Sequence, residues 1–239
     1  MSAITADRTV GELVTESPGR SRVFEEHGID YCCGGKKPLA EACATKGMSA
    51  DDLIQQLTDA DAAAFVQDGA DYNAMALDEL VTHIVSTHHA YLIRELPRLE
   101  QMAEKVAKVH GDKDERLGEL AEVVYALIAE LTAHMMKEER ILFPVVQQLA
   151  QSDTMPPIPF GTVANPIRAM EDEHDNAGGA LERLRELTDG FTPPDWACNT
   201  YRALFDGLYE LEQDLHLHIH KENNILFPKA IALEESRRG

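Results

Sequence analysis

The 239-residue sequence carries 42 acidic against 22 basic residues, and this net charge of −20 argues against binding to nucleic acids or anionic membrane surfaces. Its hydrophobic content of 44% is enough for one large domain or two small ones. The sequence shows no secretory signal and no window of about 18 uninterrupted apolar residues. The four cysteines, two of them adjacent, do not resemble a secreted disulfide framework. We therefore predict a cytoplasmic protein that does not span a membrane.

Residues 1–67 are predicted to form a small helical domain that contains cysteine. Apolar residues recur at helical spacing in VGELVTESP, SRVFEEHGI, LAEACATKG and SADDLIQQL. The glycine-rich segment CCGGKKP interrupts these helices as a turn, and Ser49 is a suitable N-cap for the last of them. The acidic segment TDADAAAFVQDGAD that follows has few bulky residues, and we interpret it as a linker.

Residues 74–235 are predicted to form an all-α, up-down-up-down four-helix bundle. The helical pattern extends over residues 75–109, 113–150, 160–189 and 194–234, with short connections between these runs. Pro193 and Pro194 are expected at the start of the fourth helix, where the missing N–H costs little. Alternating strand patterns bounded by hairpin turns are absent from the sequence.

The second half of the predicted bundle repeats the first half. HHAYLIRELPRLE aligns with EHDNAGGALERLRE, and AHMMKEERILFP aligns without a gap with LHIHKENNILFP. Each half therefore has one histidine on a first helix and a His-x-x-x-Glu motif on the next. The matched pairs are His89 with His174, His134 with His218, and Glu138 with Glu222.

This repeated spacing favours a metal site. Residues i and i+4 lie one turn apart on one helix face, so each motif presents two ligands inward. Imidazole with carboxylate suits iron, manganese or zinc, and two carboxylates that can bridge favour two metal ions. A single histidine on an apolar helix face is more often a core residue, but two matching sets are rarely a coincidence. A ferritin-like site needs two Glu-x-x-His motifs, and only Glu171 with His174 has that spacing.

Helix phase separates the other histidines of the bundle from the predicted ligands. His216 and His220 form a competing i, i+4 pair, but each is two residues from His218, about 200° around the helix. We interpret both as solvated or interface residues, and we interpret His88 in the same way.

Acidic residues near the predicted ligands are candidates for supporting roles. Glu130 and Asp214 occupy equivalent repeat positions, one turn before His134 and His218. Carboxylates there suit a hydrogen bond to a ligand imidazole or a polar path for iron, and the alternative is a solvated face. Glu173 is a weaker candidate for the same role.

The adjacent cysteines Cys32 and Cys33 precede two glycines and a lysine pair. Flanking cations and flexible backbone N–H groups favour a thiolate at one or both sulfurs. The alternative is a pair of small buried residues, although a turn with two glycines is seldom a core. We interpret the pair as redox-active or iron-accepting thiols, and Cys43 and Cys198 as packing residues.

These motifs together resemble a known family. The H…HxxxE…LFP repeat resembles the haemerythrin-like cation-binding bundle. GIDYCCGGKKPLAEAC resembles the short domain that precedes this bundle in the iron–sulfur cluster repair di-iron proteins of the YtfE/ScdA type. The resemblance covers nearly the whole chain. It implies a homodimer-capable cytoplasmic protein that helps to restore iron–sulfur clusters damaged by nitric oxide or peroxide.

The resemblance also implies the cofactor, which is two non-haem iron ions joined by an oxo or hydroxo bridge. Two imidazoles, two bridging carboxylates and that bridge leave roughly one open position on each iron for O₂ or NO. The ligands carried over to this sequence are His89, His134, Glu138, His174, His218 and Glu222.

We therefore expect a protein that repairs damaged iron–sulfur proteins as an electron or iron donor. Reduction of NO is a further activity of such a site, and the sequence does not choose among these chemistries. One alternative is an O₂ or NO sensor or carrier without turnover, for which Cys32 and Cys33 would be dispensable. The other is a protein in which the metal only holds the bundle together.

Overall fold

The computed structural model describes residues 3–64 and 71–238, with the backbone alone for residues 62–64. Regular structure in these ranges is helical, apart from one isolated bridge between Thr9 and Pro38. The predicted all-α fold is therefore confirmed. Among the described helices, none combines the length and the apolar character needed to cross a membrane.

The described residues 3–64 form four α-helices, α1 (Val10–Glu16), α2 (Ser21–Glu26), α3 (Leu39–Thr45) and α4 (Ala50–Ala64). A capping box begins α1, in which the hydroxyl of Thr9 accepts from the Glu12 N–H while the Glu12 carboxylate accepts from the Thr9 N–H. At the start of α4, Ser49 Oγ accepts from the Asp52 N–H at 3.4 Å, as its predicted N-cap role requires.

The four short helices enclose one apolar core. The side chains of this core come from all four helices and from the turns between them. Its buried members include Val10, Leu13, Phe24, Tyr31, Leu39, Leu53 and Leu57. The Arg20 guanidinium is buried beside this core, where it donates to Asp61 and to the carbonyl oxygen of Leu13. These partners satisfy a charge that would otherwise be costly to bury.

Four long helices form the up-down-up-down bundle. The first consists of α5 (Leu77–Ile84), a π turn (Val85–His89) and α6 (Ala90–His110). The second consists of α7 (Arg116–Lys137), a π turn (Glu138–Leu142) and α8 (Phe143–Gln151). The third is α9 (Ala164–Leu187), and the fourth consists of α10 (Asn199–Lys221), a π turn (Glu222–Leu226) and α11 (Phe227–Arg238).

The long helices follow the predicted ranges except at the start of the fourth. Pro193 and Pro194 precede this helix instead of opening it, and α10 begins at Asn199. The reason is a separate turn, in which the Ala197 N–H donates to the carbonyl oxygen of Pro194 at 2.9 Å. The prediction of proline in the first helical turn is therefore wrong.

The contacts within the chain define two compact units. One comprises Met1–Val81, Leu149–Met155 and His216–Gly239, and the other comprises Thr82–Gln148 and Pro156–Leu215. In the second unit α7 packs against α6 and α9. Its buried core is rich in leucine and includes Leu92, Leu96, Leu99, Leu120, Leu127, Leu181, Leu184 and Leu208. The predicted domain limit at residue 67 lies outside the described residues, so the ranges 1–67 and 74–235 stay predictions.

The three π turns found among the described residues coincide with predicted metal ligands. His89 ends the first, while Glu138 and Glu222 begin the second and third. The last two turns are each followed closely by a proline, Pro144 or Pro228. Proline lacks the N–H for an α-helical bond and its ring crowds the carbonyl four residues earlier, which lies inside the π turn. The wider turns before Pro144 and Pro228 accommodate these prolines, and π turns are common at functional sites.

Candidate metal centre

Four predicted ligands lie together in the second unit. Their side chains are all buried: His89, His134, Glu138 and His174. Glu138 Oε2 lies 3.3 Å from His89 Nε2 and 3.4 Å from His134 Nε2. His134 Nε2 lies 3.1 Å from His174 Nε2. The fold thus brings three imidazoles, from three different helices, close to one carboxylate.

The other two predicted ligands lie together in the first unit. His218 is near the end of α10, and Glu222 begins the π turn that follows. His218 Nε2 lies 3.0 Å from Glu222 Oε1, and both side chains are buried. This pair has the same arrangement as His134 and Glu138, which are also four residues apart at the entry to a π turn.

The spacing of these donor atoms fits a coordinated metal ion. Two atoms that are each about 2.1 Å from one ion lie about 3.0 Å apart when the angle between their bonds is near 90°. The nearest ligand pairs in the structure are 3.0 to 3.4 Å apart. Imidazole nitrogen and carboxylate oxygen are both suitable donors for non-haem iron. The residues present therefore fit the iron that the sequence predicts.

Two carboxylates hold the outer sides of the ligand imidazoles. Glu139 Oε1 lies 2.7 Å from His89 Nδ1, and Glu173 Oε2 lies 2.8 Å from His134 Nδ1. Such bonds orient the ring so that Nε2 points inward, and they make the imidazole a stronger ligand. Burial acts to raise the pKa of Glu173, but hydrogen bonds from Lys137 and His134 outweigh it and lower that pKa below its usual value.

These supporting residues are not the ones that the sequence favoured. Glu130 is exposed, which agrees with the solvated face that the sequence left open as the alternative to a supporting role. Asp214 Oδ1 instead lies 2.8 Å from His88 Nδ1, and this bond lets His88 be buried although we predicted it to be solvated or at an interface. Glu173 was ranked low and Glu139 was missed. The available signal was that each directly neighbours a predicted ligand in sequence.

His216 and His220 lie beside the small domain instead of in solvent. The His220 ring is buried, and its centroid lies 5.6 Å from that of Tyr31. Burial lowers the pKa of His220 to about 4. His216 is half-buried, with its ring centroid 6.0 Å from Tyr31. The prediction of an interface position holds for both, while the prediction of a solvated side chain is wrong for His220.

The cysteine turn has an acidic neighbour that the sequence analysis overlooked. Asp30 Oδ1 accepts from the Cys32 N–H at 2.9 Å and lies 3.1 Å from Cys32 Sγ. The pKa of the Cys32 thiol is raised well above its usual value by its hydrogen bond to Cys33, by burial and by the charge of Asp30. The expectation of a thiolate favoured by the lysine pair is therefore wrong for Cys32.

The remaining two cysteines differ in environment. Cys43 is buried in the core of the small domain, as predicted. Cys198 is exposed, with its sulfur 3.2 Å from His110 Nε2, so its assignment as a packing residue is wrong. Neither cysteine lies next to a predicted metal ligand in the sequence.

Asn224 attaches the cysteine turn to the helix that carries Glu222. Its Nδ2 donates to the carbonyl oxygens of Cys32 at 3.1 Å and Tyr31 at 3.4 Å. A Cβ atom on Gly35 would lie only 2.5 Å from Asn224 Oδ1, so the glycine permits this close approach. The sequence signal for Asn224 was a break in the repeat, since arginine occupies the equivalent position 140.

Comparison with known proteins agrees with this fold and with a cation site within it. The family model of the hemerythrin HHE cation binding domain matches residues 80–230, so the larger part of the chain is a helical cation-binding domain. A domain of unknown function, DUF542, matches residues 6–61.

Relatives from several bacteria share nearly the full length of the chain. The iron–sulfur cluster repair protein YtfE of Pectobacterium carotovorum is 42% identical over 225 residues, which are 94% of this chain and 97% of that protein. The protein of the same name from Dickeya chrysanthemi is 41% identical over 226 residues, with the same shares covered. The one from Yersinia pseudotuberculosis is 39% identical over 225 residues. This chain belongs to the family of YtfE iron–sulfur cluster repair proteins.

Proposed function

We propose that the two halves of the repeat together hold one di-iron centre. Its ligands are His89, His134, Glu138, His174, His218 and Glu222. The observation that carries this proposal is the repeated geometry of the His-x-x-x-Glu pairs, with buried donor atoms 3.4 Å and 3.0 Å apart at equivalent positions. Glu138 and Glu222 are the two carboxylates suited to bridging, because each begins a π turn in the same register.

The side chains around this centre prepare it for binding small molecules. When bound, iron supplies one-electron redox chemistry and exchangeable positions for NO or O₂. Glu139 and Glu173 hold the rings of His89 and His134 by their Nδ1 atoms, which keeps Nε2 directed inward. Burial of the ligands keeps bulk water away from them.

We infer that the protein repairs damaged iron–sulfur proteins by donating electrons or iron, and that NO is a substrate of the same centre. The full-length relatives that bear the name of iron–sulfur cluster repair proteins support this function. We propose that the protein lies in the cytoplasm, where its adjacent thiols stay reduced, and that it is capable of forming a homodimer. The cysteine turn beside the helix of His218 and Glu222 favours repair over simple sensing, because a sensor needs no thiol there.

The di-iron centre is tested by removing each proposed bridge. We expect about two irons per chain in the wild-type protein, since two carboxylates can each bridge two ions. Glu138→Ala and Glu222→Ala should both lose most of the iron and the diferric visible spectrum. Glu130→Ala is the matched control, because Glu130 lies on α7 but is exposed. A normal dinuclear spectrum in both bridge variants would show that the ligand assignment is wrong.

Repair and sensing are separated by the thiols. The double variant Cys32→Ser with Cys33→Ser should keep normal iron content, because the proposed ligands contain no sulfur. Its repair of an NO-damaged iron–sulfur protein should fall well below that of the wild type. Cys198→Ser controls for general thiol loss, since Cys198 is exposed and lies elsewhere in the fold. Full repair activity in the double variant would favour a sensor or carrier that uses the bundle alone.

A further inference from the structure

We propose that Asp30, Cys32 and Cys33 form a second metal site, an exchangeable site for a thiophilic divalent cation such as Fe²⁺. These three residues each offer one donor atom, and the three atoms lie within 4.8 Å of one another. The existence of this second site does not depend on the proposed function. Only its use, which is to hold iron that leaves or enters the bundle, rests on that function.

The distances within this cluster are close to those of a coordinated ion. Cys32 Sγ lies 4.0 Å from Cys33 Sγ and 3.1 Å from Asp30 Oδ1. With metal–sulfur bonds of about 2.3 Å and metal–oxygen bonds of about 2.1 Å, a tetrahedral ion separates two sulfurs by about 3.8 Å and a sulfur from an oxygen by about 3.6 Å. The observed sulfur–sulfur separation is therefore about 0.2 Å above that of a ligand set, and the observed sulfur–oxygen separation is about 0.5 Å below it.

The carboxylate is already held in position by the backbone of the turn. Asp30 Oδ1 accepts from the Cys32 N–H at 2.9 Å, and Asp30 Oδ2 accepts from the Gly34 N–H at 2.7 Å. A Cβ on Gly34 would lie 3.0 Å from Asp30 Oδ2, so glycine allows the backbone to approach. Tyr31 lies between Asp30 and Cys32 in the sequence, and its side chain is buried in the core of the small domain. This burial anchors the backbone that carries both ligands. Asp30 Oδ2 keeps a further lone pair for a cation, and Oδ1 gains one when the Cys32 thiol, which donates to it, loses its proton.

The cluster is open on one side. Asp30 is exposed, Cys33 is half-buried and Cys32 is buried. Structural zinc-type sites are closed by four protein ligands, whereas three ligands leave a position for water or for a donor from another molecule. A cation that binds here replaces the thiol protons of Cys32 and Cys33, which pass to solvent, and the cation then takes the position between sulfur and carboxylate. Three ligands with solvent access suit a site that gives its ion up again.

The position of the cluster connects it with the proposed di-iron ligands. Asn224 donates to the carbonyl oxygen of Cys32 and lies in the π turn that begins with Glu222. The cysteine turn is therefore attached to the same helix that presents His218 and Glu222. A cation bound at the turn would therefore lie near two residues of that helix that are proposed to hold iron.

Cobalt(II) added to the full-length, iron-loaded and reduced protein provides the test. Thiolate ligands give cobalt a charge-transfer absorption, and the proposed bundle ligands contain no sulfur, so this band reports on cysteine thiolates; the serine variants assign it to the cysteine turn or to the exposed Cys198. We expect one thiolate-bound cobalt per chain in the wild type. Cys32→Ser and Cys33→Ser should abolish the band, and Asp30→Asn should weaken cobalt binding by at least about tenfold. Cys198→Ser, at the exposed cysteine, should match the wild type.

Several outcomes would overturn the second site. These are a wild-type protein without the band, a band that survives in both serine variants, or an Asp30→Asn protein with wild-type affinity. Circular dichroism and the bundle iron spectrum verify that each variant is folded. The same titration of Glu222→Ala separates the two proposals, because the band should persist there even if the bundle holds no iron.

Discussion

Replacing Glu173 by alanine should weaken the bundle's hold on iron although Glu173 is not itself a proposed ligand. Its Oε2 lies 2.8 Å from Nδ1 of His134, the nitrogen on the far side of the ring from the proposed metal. Loss of this acceptor frees the ring to rotate and makes its inward nitrogen a weaker donor. The Lys137 ammonium, which also donates to Glu173, loses its partner in the same variant.

The expected loss of iron affinity in Glu173→Ala depends on how deeply Glu173 and His134 are buried. Loss of the carboxylate behind a metal-bound histidine costs about 10- to 100-fold in metal affinity. At about 1.36 kcal/mol for each factor of ten, this range corresponds to about 1.4–2.7 kcal/mol. The His134 side chain is 4% exposed and that of Glu173 is 33% exposed, so water can replace part of the lost interaction. We therefore expect the lower half of the range, about 10- to 30-fold.

Competition with a chelator measures this change, with the apparent affinity for iron(II) as the readout. Glu130→Ala is the matched control, because Glu130 is one turn before His134 on the same helix but is exposed. That control should bind iron as the wild type does. The iron affinity of Glu173→Gln should lie between those of the wild type and Glu173→Ala, because the amide oxygen can still accept a hydrogen bond from His134. Equal affinities for Glu173→Ala and the wild type would refute the supporting role of Glu173. Equal losses in Glu173→Ala and Glu130→Ala would refute its specificity.

Two further pairs of variants test the phase of the last helix and the packing of the small domain. His218→Ala should lose iron while His216→Ala keeps it, because the two positions are about 200° apart around the helix; equal losses by metal analysis would contradict this phase. Gly11→Ala should destabilise the metal-free protein by about 1–3 kcal/mol, since its Cβ would lie 2.9 Å from the carbonyl oxygen of Gly35. Gly118→Ala, which meets nothing within 4 Å, should leave stability unchanged or raise it in chemical denaturation. Similar stability changes in both glycine variants would argue against the tight contact.

Patterns along single helices were accessible from the sequence. Helical spacing of apolar residues predicted both the short helices and the long ones, because burial of one helix face imposes a period near 3.6 residues. The same periodicity placed His134 with Glu138 and His218 with Glu222, since residues four apart always share a face. It also separated His216 from His218 without any knowledge of the tertiary structure.

Contacts between different helices were not accessible in the same way. Glu139 and Glu173 support histidines that are 50 and 39 positions away in the sequence, and no local spacing encodes such a pairing. Glu130 looked more suitable than either by its position in the repeat, but its exposure depends on which neighbouring helices cover that side of α7. The π turns posed a related difficulty, because each adds a residue to a helical turn and shifts the phase of every residue after it.

The sequence by itself determined the all-α class, the repeat and the candidate ligands, because these depend on the regular geometry of a helix. Only the tertiary structure decided the environment of the cysteine turn. The sequence places lysines beside Cys32 and Cys33, whereas the folded chain brings the carboxylate of Asp30 to the Cys32 sulfur and buries that thiol. The physical reason is that burial and the nearest charge set the properties of a thiol, and both are fixed by how the turn folds and packs against its surroundings.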